Sequence, residues 1–227
     1  MDARADLERI VADIQAGRTD PFDRRWHPRT LTGDFRRAAV LVLFGALDDV
    51  LAASARPIAP AELDVLLLER AATLGSHPGQ VAFPGGSLDP EDASLVECAL
   101  REAEEETGLD PSGVHILGEL PPLGMAYTGF LVSPVVGWWA SPSPVDVVDF
   151  GESAQVFRSP VRDLLDPDNR VMAVLNRRGS RFASPAFTVN GVLVWGFTAM
   201  VLDSLFEALG WAVPWDRTRE QPVEPQI

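Results

Sequence analysis

A chain of 227 residues, 46% hydrophobic and 23% charged, is long enough for one full α/β domain with a substantial core and ordinary in composition for a globular protein. Its 33 acidic against 19 basic residues leave a formal net charge of -14, which argues against a nucleic-acid backbone or an anionic membrane as the main partner, because both select basic patches. The same charge should repel a phosphate substrate, unless bound divalent cations invert the local field.

The N-terminus lacks the charged, apolar and small-residue succession of a signal peptide. The longest apolar runs, Ala38–Leu47 and Val192–Leu202, are too short or too interrupted to cross a bilayer. Cys98 stands alone, which excludes an intrachain disulfide and a thiolate zinc cage. A cytoplasmic location is the default expectation.

Residues 1–35 are polar, with a short helical pattern at Leu7, Ile10, Val11 and Ile14, and read as an N-terminal extension. Ala38–Leu47 is apolar on both faces, as a central strand should be. Residues 48–62 read as a loop; Val65–Arg70 is a second strand, and Gln80–Phe83 a short third one ending at Pro84-Gly85-Gly86. A helix is expected from Pro90 or Glu91 to Thr107, capped by Asp89 and ended by Gly108. Further strands are expected at Val114–Leu120, Phe130–Ala140, Val171–Asn176, Phe182–Val189 and Val192–Trp195, with Asn190-Gly191 as a hairpin turn. Gly196–Leu209 reads as a closing amphipathic helix. The expected architecture is one α/β domain over residues 36–211, a mixed sheet with helices on both faces, followed by a mobile polar tail over 212–227.

The stretch Arg101-Glu102-Ala103-Glu104-Glu105-Glu106-Thr107-Gly108-Leu109 carries the chemistry. At about 100° per helical residue, Glu102, Glu105 and Glu106 share roughly one quadrant. Carboxylates that close repel one another, and they are also the oxygen ligands that hard divalent cations take. Arg101 lies one helical turn before Glu105, where it can pair with and orient that carboxylate. Val96, Ala99, Leu100 and Ala103 form an apolar face to pack on the sheet. By itself such a run of glutamates is more often a solvated helix face.

Its setting changes the reading. The sequence Gly86-x5-Asp92-x8-Arg101-Glu102-Ala103-x-Glu105-Glu106-x-Gly108-Leu109 resembles the Nudix box, Gly-x5-Glu-x7-Arg-Glu-U-x-Glu-Glu-x-Gly-U, with U a bulky apolar residue. It departs in Asp92 for the first Glu, in one extra residue after it, and in Ala103 at the bulky position. The resemblance implies a Nudix-type α/β/α sandwich and a hydrolase that uses Mg²⁺ or Mn²⁺ to cut a diphosphate linkage in a small molecule. It implies Glu102, Glu105 and Glu106 as metal ligands, a carbonyl of the Gly85-Gly86 loop (Gly86) completing the shell, and Arg101 as the orienting residue. Glu105 and Glu102 would then be catalytic as well.

Upstream, Leu66-Leu67-Leu68-Glu69-Arg70 and Gly79-x3-Phe83-Pro84-Gly85-Gly86 resemble the added signature of coenzyme A diphosphatases, with Leu68, Ala71 and Gly75 replacing its Thr, Ser and second Arg. By that resemblance Arg70, His77 and Gly85 would bind substrate; the lesser reading of Arg70 is a surface salt-bridge partner at a strand end, and His77 reads at least as readily as a structural loop residue. Downstream, the stretch from Glu152 to Pro160 resembles a family segment in which a glutamate serves as a further metal ligand or general base; Glu152 can also be read as the surface start of a helix or loop. Trp195 and Phe197 could line the pocket or fill the core. Cys98 reads as a packing residue. The leading expectation is hydrolysis of coenzyme A or an acyl-coenzyme A to 3′,5′-ADP and a 4′-phosphopantetheine. The alternatives are a Nudix pyrophosphatase for ADP-ribose, dinucleotides or nucleoside triphosphates, and a Nudix-fold binding module without catalysis. A homodimer is compatible with the sequence and not required by it.

Overall fold

The computed structural model describes residues 2–28, 34–47, 56–75, 78–125, 128–177 and 180–224. Helix α1 spans Ala3–Gln15, and strands β1 and β2 span Arg36–Ala46 and Leu63–Arg70. Two short strands follow, β3 at Val81–Ala82 and β4 at Gly85–Ser87, before helix α2 at Leu95–Thr107. Strands β5 (Val114–Glu119), β6 (Leu123–Met125), β7 (Phe130–Trp139) and β8 (Ser153–Pro160) lead into the short helix α3 (Val161–Leu165). The remainder is β9 (Arg170–Arg177), β10 (Ser180–Val189), β11 (Val192–Val194), α4 (Phe197–Leu209) and β12 (Glu220–Val223).

The apolar run of β1 sits where its composition demands, paired on both edges. It runs parallel to β7 from Arg36↔Phe130 to Gly45↔Trp139, and antiparallel to β2 and β4. Strand β2 also pairs antiparallel with β3 and β8, and β5 and β6 pair with β7, giving an eight-stranded mixed sheet. Alternation along the strands separates two apolar faces. Val42, Phe44, Val136 and Trp138 meet α1 through Leu7, Ile10 and Ile14, and α4 through Leu202, Leu205 and Phe206. Leu41, Leu43, Val135 and Trp139 meet α2 through Leu95, Cys98, Ala99 and Ala103. The result is an α/β/α sandwich. Among the described residues, no helix is long and apolar enough to cross a membrane.

Several local expectations need correction. Helix α2 starts at Leu95 with Ser94 as its N-cap, not near Pro90. The Ser94 side chain accepts from Glu97 N, and Glu97 reaches back to Ala93 N, a variant of the reciprocal capping box. Asp89 and Asp92 instead close a turn on each other, Asp92 N donating to Asp89 O and Asp89 N to the Asp92 carboxylate. The apolar face of α2 is also rotated: Ala99 and Ala103 are buried, joined by Leu95 and Cys98, while Val96 and Leu100 are only partly covered. Residues 153–160 are a strand rather than a helix or loop, because β2 offers them an unpaired edge.

Strands β9 to β12 form a second, four-stranded sheet in the order β11-β10-β9-β12. Its hairpin turns at Asn190 (φ 52) and Gly191 (φ 77), both left-handed as a two-residue hairpin requires. Within the segment expected to be mobile, Glu220–Val223 pair in parallel with β9. The apolar residues of α1, in the segment read as an extension, belong to the larger core.

Arg170 pins this second sheet to α4. It is 1% exposed, pairs with Asp203, and stacks on Phe187 and Trp215 at 4.4 and 4.7 Å. Removing one partner of a buried pair strands the other and costs about 3–5 kcal/mol. Arg170→Ala is therefore expected to lower unfolding free energy by about that amount in urea titration, whereas a change below about 1 kcal/mol would show the pair to be unimportant.

Candidate active site

The loop before α2 owes its path to two glycines. A Cβ on Gly85 would lie 2.3 Å from Ala39 O, and one on Gly86 only 2.4 Å from the Glu102 carboxylate. At Gly85 nothing larger than hydrogen fits against the backbone of β1, whereas at Gly86 a side chain would displace the Glu102 carboxylate, and β4 lies flat on β1 (Ala39↔Gly86, Val40↔Gly85). Gly85 N donates to Glu106 Oε2 at 2.9 Å. Cys98, fully buried on the same helix, donates its thiol to Ser87 O at 3.3 Å. Burial, and then the nearby Asp92 charge, push that thiol up to about 11, so Cys98 is an inert packing group at neutral pH.

Burial dominates the electrostatics of the glutamates. The Glu106 carboxyl is pushed up to about 7 by burial; the Gly85 N–H and the Arg70 charge oppose this, while Glu102 and Glu152 add to it. Glu102 is raised too, by burial first, with Arg101 opposing and Glu105 and Asp89 reinforcing. Ionised carboxylates here lack sufficient positive charge around them.

Beside Arg70, Arg101 supplies positive charge to Glu102 and Glu105. It contacts Asp92 at 2.9 Å, Glu105 at 3.0 Å, Glu102 at 3.1 Å and Asp89 at 3.5 Å. Its fork closes on both Asp92 oxygens, and this pairing, with the Asp89 N–H, holds Asp92 down at about 2. The shorter acid and the extra residue in the box thus leave the Arg101 clamp intact. The part Asp92 plays was not foreseen, although its place at the first acidic position of the motif was the available signal.

Glu102, Glu105 and Glu106 share one side of α2 as their spacing requires, but in this arrangement they are not gathered on one point. Arg101 holds Glu105, whose side chain is 59% exposed, at the outer edge of the group. Among the described residues no group of carboxylates, imidazoles and thiols is preassembled as a metal site. The donor set nevertheless fits a hard cation: all donors are oxygen, the Gly86 backbone lies against Glu102 for want of a Cβ, and Glu106 is a buried carboxylate short of positive charge.

Residues distant in sequence complete the surroundings. Arg70 ends β2, where its N donates to Gln80 O, its carbonyl accepts from Gly79 N, and Ala71 N donates to Glu152 O at 2.8 Å. Arg70 and Glu152 therefore flank one corner, both close enough to shift Glu106. Arg70 Nε is buried with no hydrogen-bond partner among the described residues. Glu152 itself is exposed, and beside it Gln155 donates to Glu69 at 2.6 Å. His77 lies outside the described residues. Trp195 lines a cleft of about 410 Å³ with Glu69, Gly79, Leu193 and Val223, while Phe197 packs on the main core.

Known proteins resemble this chain. A family model described as the NUDIX domain matches residues 48–157. The chain is 40% identical over 149 residues to an uncharacterized Nudix hydrolase, NudL, of Cronobacter sakazakii, covering 66% of this chain and 77% of that one. It is 35% identical over 202 residues to NudL of Yersinia pestis, covering 88% and 92%. Among solved structures, a Nudix hydrolase of M. smegmatis, RenU, superposes with a TM-score of 0.50 at 16% identity, over 82% of this chain and 92% of that one. With the box on α2, the sandwich around it and relatives that match along most of their length, the chain belongs to the Nudix hydrolase family.

Proposed function

We propose that this Nudix hydrolase cleaves the diphosphate of coenzyme A or an acyl-coenzyme A, releasing 3′,5′-ADP and a 4′-phosphopantetheine. The observation that carries the reading is Arg70, a half-buried cation beside Glu106 and Glu152 whose Nε lacks a hydrogen-bond partner among the described residues. A guanidinium with an unmet donor is suited to a phosphate, which it can grip with a two-pronged fork. Arg70 and the Gly79–Gly86 stretch are also the residues that resemble the coenzyme A branch. Hydrolysis of ADP-ribose, dinucleotides or nucleoside triphosphates is the second reading, favoured by Gly75, which places no cation where that branch has its second Arg.

In this scheme Glu102, Glu105, Glu106 and the Gly86 carbonyl hold Mg²⁺ or Mn²⁺. A cation held there would supply charge to neutralise phosphoryl oxygens and to acidify the attacking water. Arg101 keeps Glu102 and Glu105 in position, with Asp92 holding the guanidinium from behind. Arg70 orients the substrate, and Gly85 lets the phosphate approach the backbone. Glu105 and Glu152 are the candidates to take the proton from the attacking water. An inactive binding module fits less well, because it would have no reason to keep Arg101, Glu102, Glu105 and Glu106 together at a cost in charge repulsion.

Glu105→Gln keeps the shape and removes one anionic ligand, so kcat is expected to fall by about 10²-fold or more while the melting temperature holds or rises. Glu104→Gln, on an exposed neighbour outside the set, is the matched control and should leave kcat near that of the native protein. An unchanged kcat in Glu105→Gln would remove Glu105 from the metal shell.

The substrate assignment has its own test. If Arg70 reads the 3′-phosphate, kcat/KM for dephospho-coenzyme A should fall below that for coenzyme A by about ten- to a hundredfold, the value of one charge-assisted contact. Equal values would mean that the 3′-phosphate is not read. A clear preference for ADP-ribose or a nucleoside triphosphate would overturn the coenzyme A assignment and leave the family's chemistry standing.

A further inference from the structure

We infer that Ser153 is a positioning residue for Arg70: its buried hydroxyl accepts the Arg70 Nε–H and so aims the guanidinium at the substrate's phosphate. This rests on the reading of Arg70 as a phosphate contact. Ser153 opens strand β8 and is 1% exposed. Its Oγ is buried with no hydrogen-bond partner among the described residues, and so is Arg70 Nε. Buried polar atoms usually have partners, because one left unpaired has given up its hydration for nothing.

The register brings the two atoms together. Strand β8 runs antiparallel to β2 with Leu67↔Phe157, Leu68↔Val156 and Glu69↔Gln155, then skips Ala154 and pairs Ser153 with Arg70. Leu66 and Val156 lie on the face of the sheet that meets α2, Leu67 and Phe157 on the opposite face. Unbroken alternation would set Ala154 across from Arg70 on the α2 face and turn Ser153 away. The skipped residue is a β-bulge: Ala154 is exposed, and Ser153 takes its place opposite Arg70. The same face is where Arg70 acts on Glu106. Side chains directly opposite on one face of an antiparallel pair have Cβ atoms about 4.5–5.5 Å apart. A turn of the serine between staggered rotamers is then enough for Oγ to meet Nε.

A serine suits this task. An arginine loses rotamer freedom when it grips a phosphate, and a bond that fixes it beforehand removes part of that cost. Engaging Nε–H sets the plane of the guanidinium and leaves its two terminal nitrogens for the phosphate. The hydroxyl is neutral, so it does this without adding a further negative charge beside Glu106 and Glu152. Ser159 is the matched contrast on the same strand. It is fully buried and its Oγ also lacks a partner among the described residues, but it pairs with Val65 on the opposite face. An unmet donor across the strand is what sets Ser153 apart.

The test combines Ser153→Ala, Ser153→Thr, Arg70→Ala and the Ser153→Ala/Arg70→Ala double variant, with Ser159→Ala as control. KM and kcat are measured on coenzyme A, and exchange of the Arg70 Nε–H with water is followed by heteronuclear NMR on the intact chain. Ser153→Ala should raise KM by roughly three- to tenfold with kcat held within about twofold. In the Arg70→Ala background the same change should add nothing, because residues that act through one bond are not additive. Ser153→Thr keeps the hydroxyl and should keep the native KM, and Ser159→Ala should change neither constant. The Arg70 Nε–H should exchange at least roughly tenfold faster in Ser153→Ala than in the native chain or Ser159→Ala. Unchanged Nε–H exchange in Ser153→Ala overturns the inference. So does a native KM in Ser153→Ala where Arg70→Ala raises it, or a Ser153→Ala effect that persists in full without Arg70. Should Arg70→Ala keep the native KM, or the native protein leave coenzyme A uncut, the proposed phosphate contact fails, and the Nε–H exchange still decides whether Ser153 holds Arg70.

Discussion

The crowding of carboxylates against the Gly85-Gly86 loop is the constraint on which the site depends. A helix fixes Glu102, Glu105 and Glu106 on one side whether or not their charges are compensated. Two glycines bring the loop so near that the Glu102 carboxylate occupies the space of a missing Cβ, and Glu106 is buried on the loop N–H. Arg101 balances part of this charge, shared among Glu102, Glu105, Asp89 and Asp92. It does not reach far enough to compensate Glu106, whose carboxyl stays raised. In a protein of net charge -14, a small cation that can enter between them is the natural remedy.

The sheet turns that helix into part of a larger site. Because β1 pairs with both β4 and β7, the loop, the helix and the central strands form one packed unit beneath the carboxylates. Because β2 pairs with both β3 and β8, Arg70 and Glu152 arrive at the same corner from positions far apart in sequence. Neither residue depends on a flexible arm. Both stand at strand ends, where a small shift in register would move them to the wrong face.

Much of this was legible in the residues because it is local. The glutamate spacing set the face of α2, the Asn190-Gly191 pair set a hairpin, and the apolar run at Ala38–Leu47 announced a central strand. The start of α2 was misplaced because Pro90 and Asp89 are good helix-opening residues, while Asp92 was drawn instead into the Arg101 fork. Strands β8 and β12 were harder to see, because each pairs with a strand distant in sequence, β2 and β9, and a short segment on its own reads alike as loop, helix or strand. Asp92 and Gln155 take their meaning from neighbours brought together only by folding.

The most direct test of this account is calorimetric titration of the chain with Mn²⁺ alongside its Glu105→Gln, Glu106→Gln and Glu104→Gln variants. The account predicts that the native chain and Glu104→Gln bind the ion alike, and that Glu105→Gln and Glu106→Gln bind it markedly more weakly. Equal binding by all four, or no binding by the native chain, would contradict it.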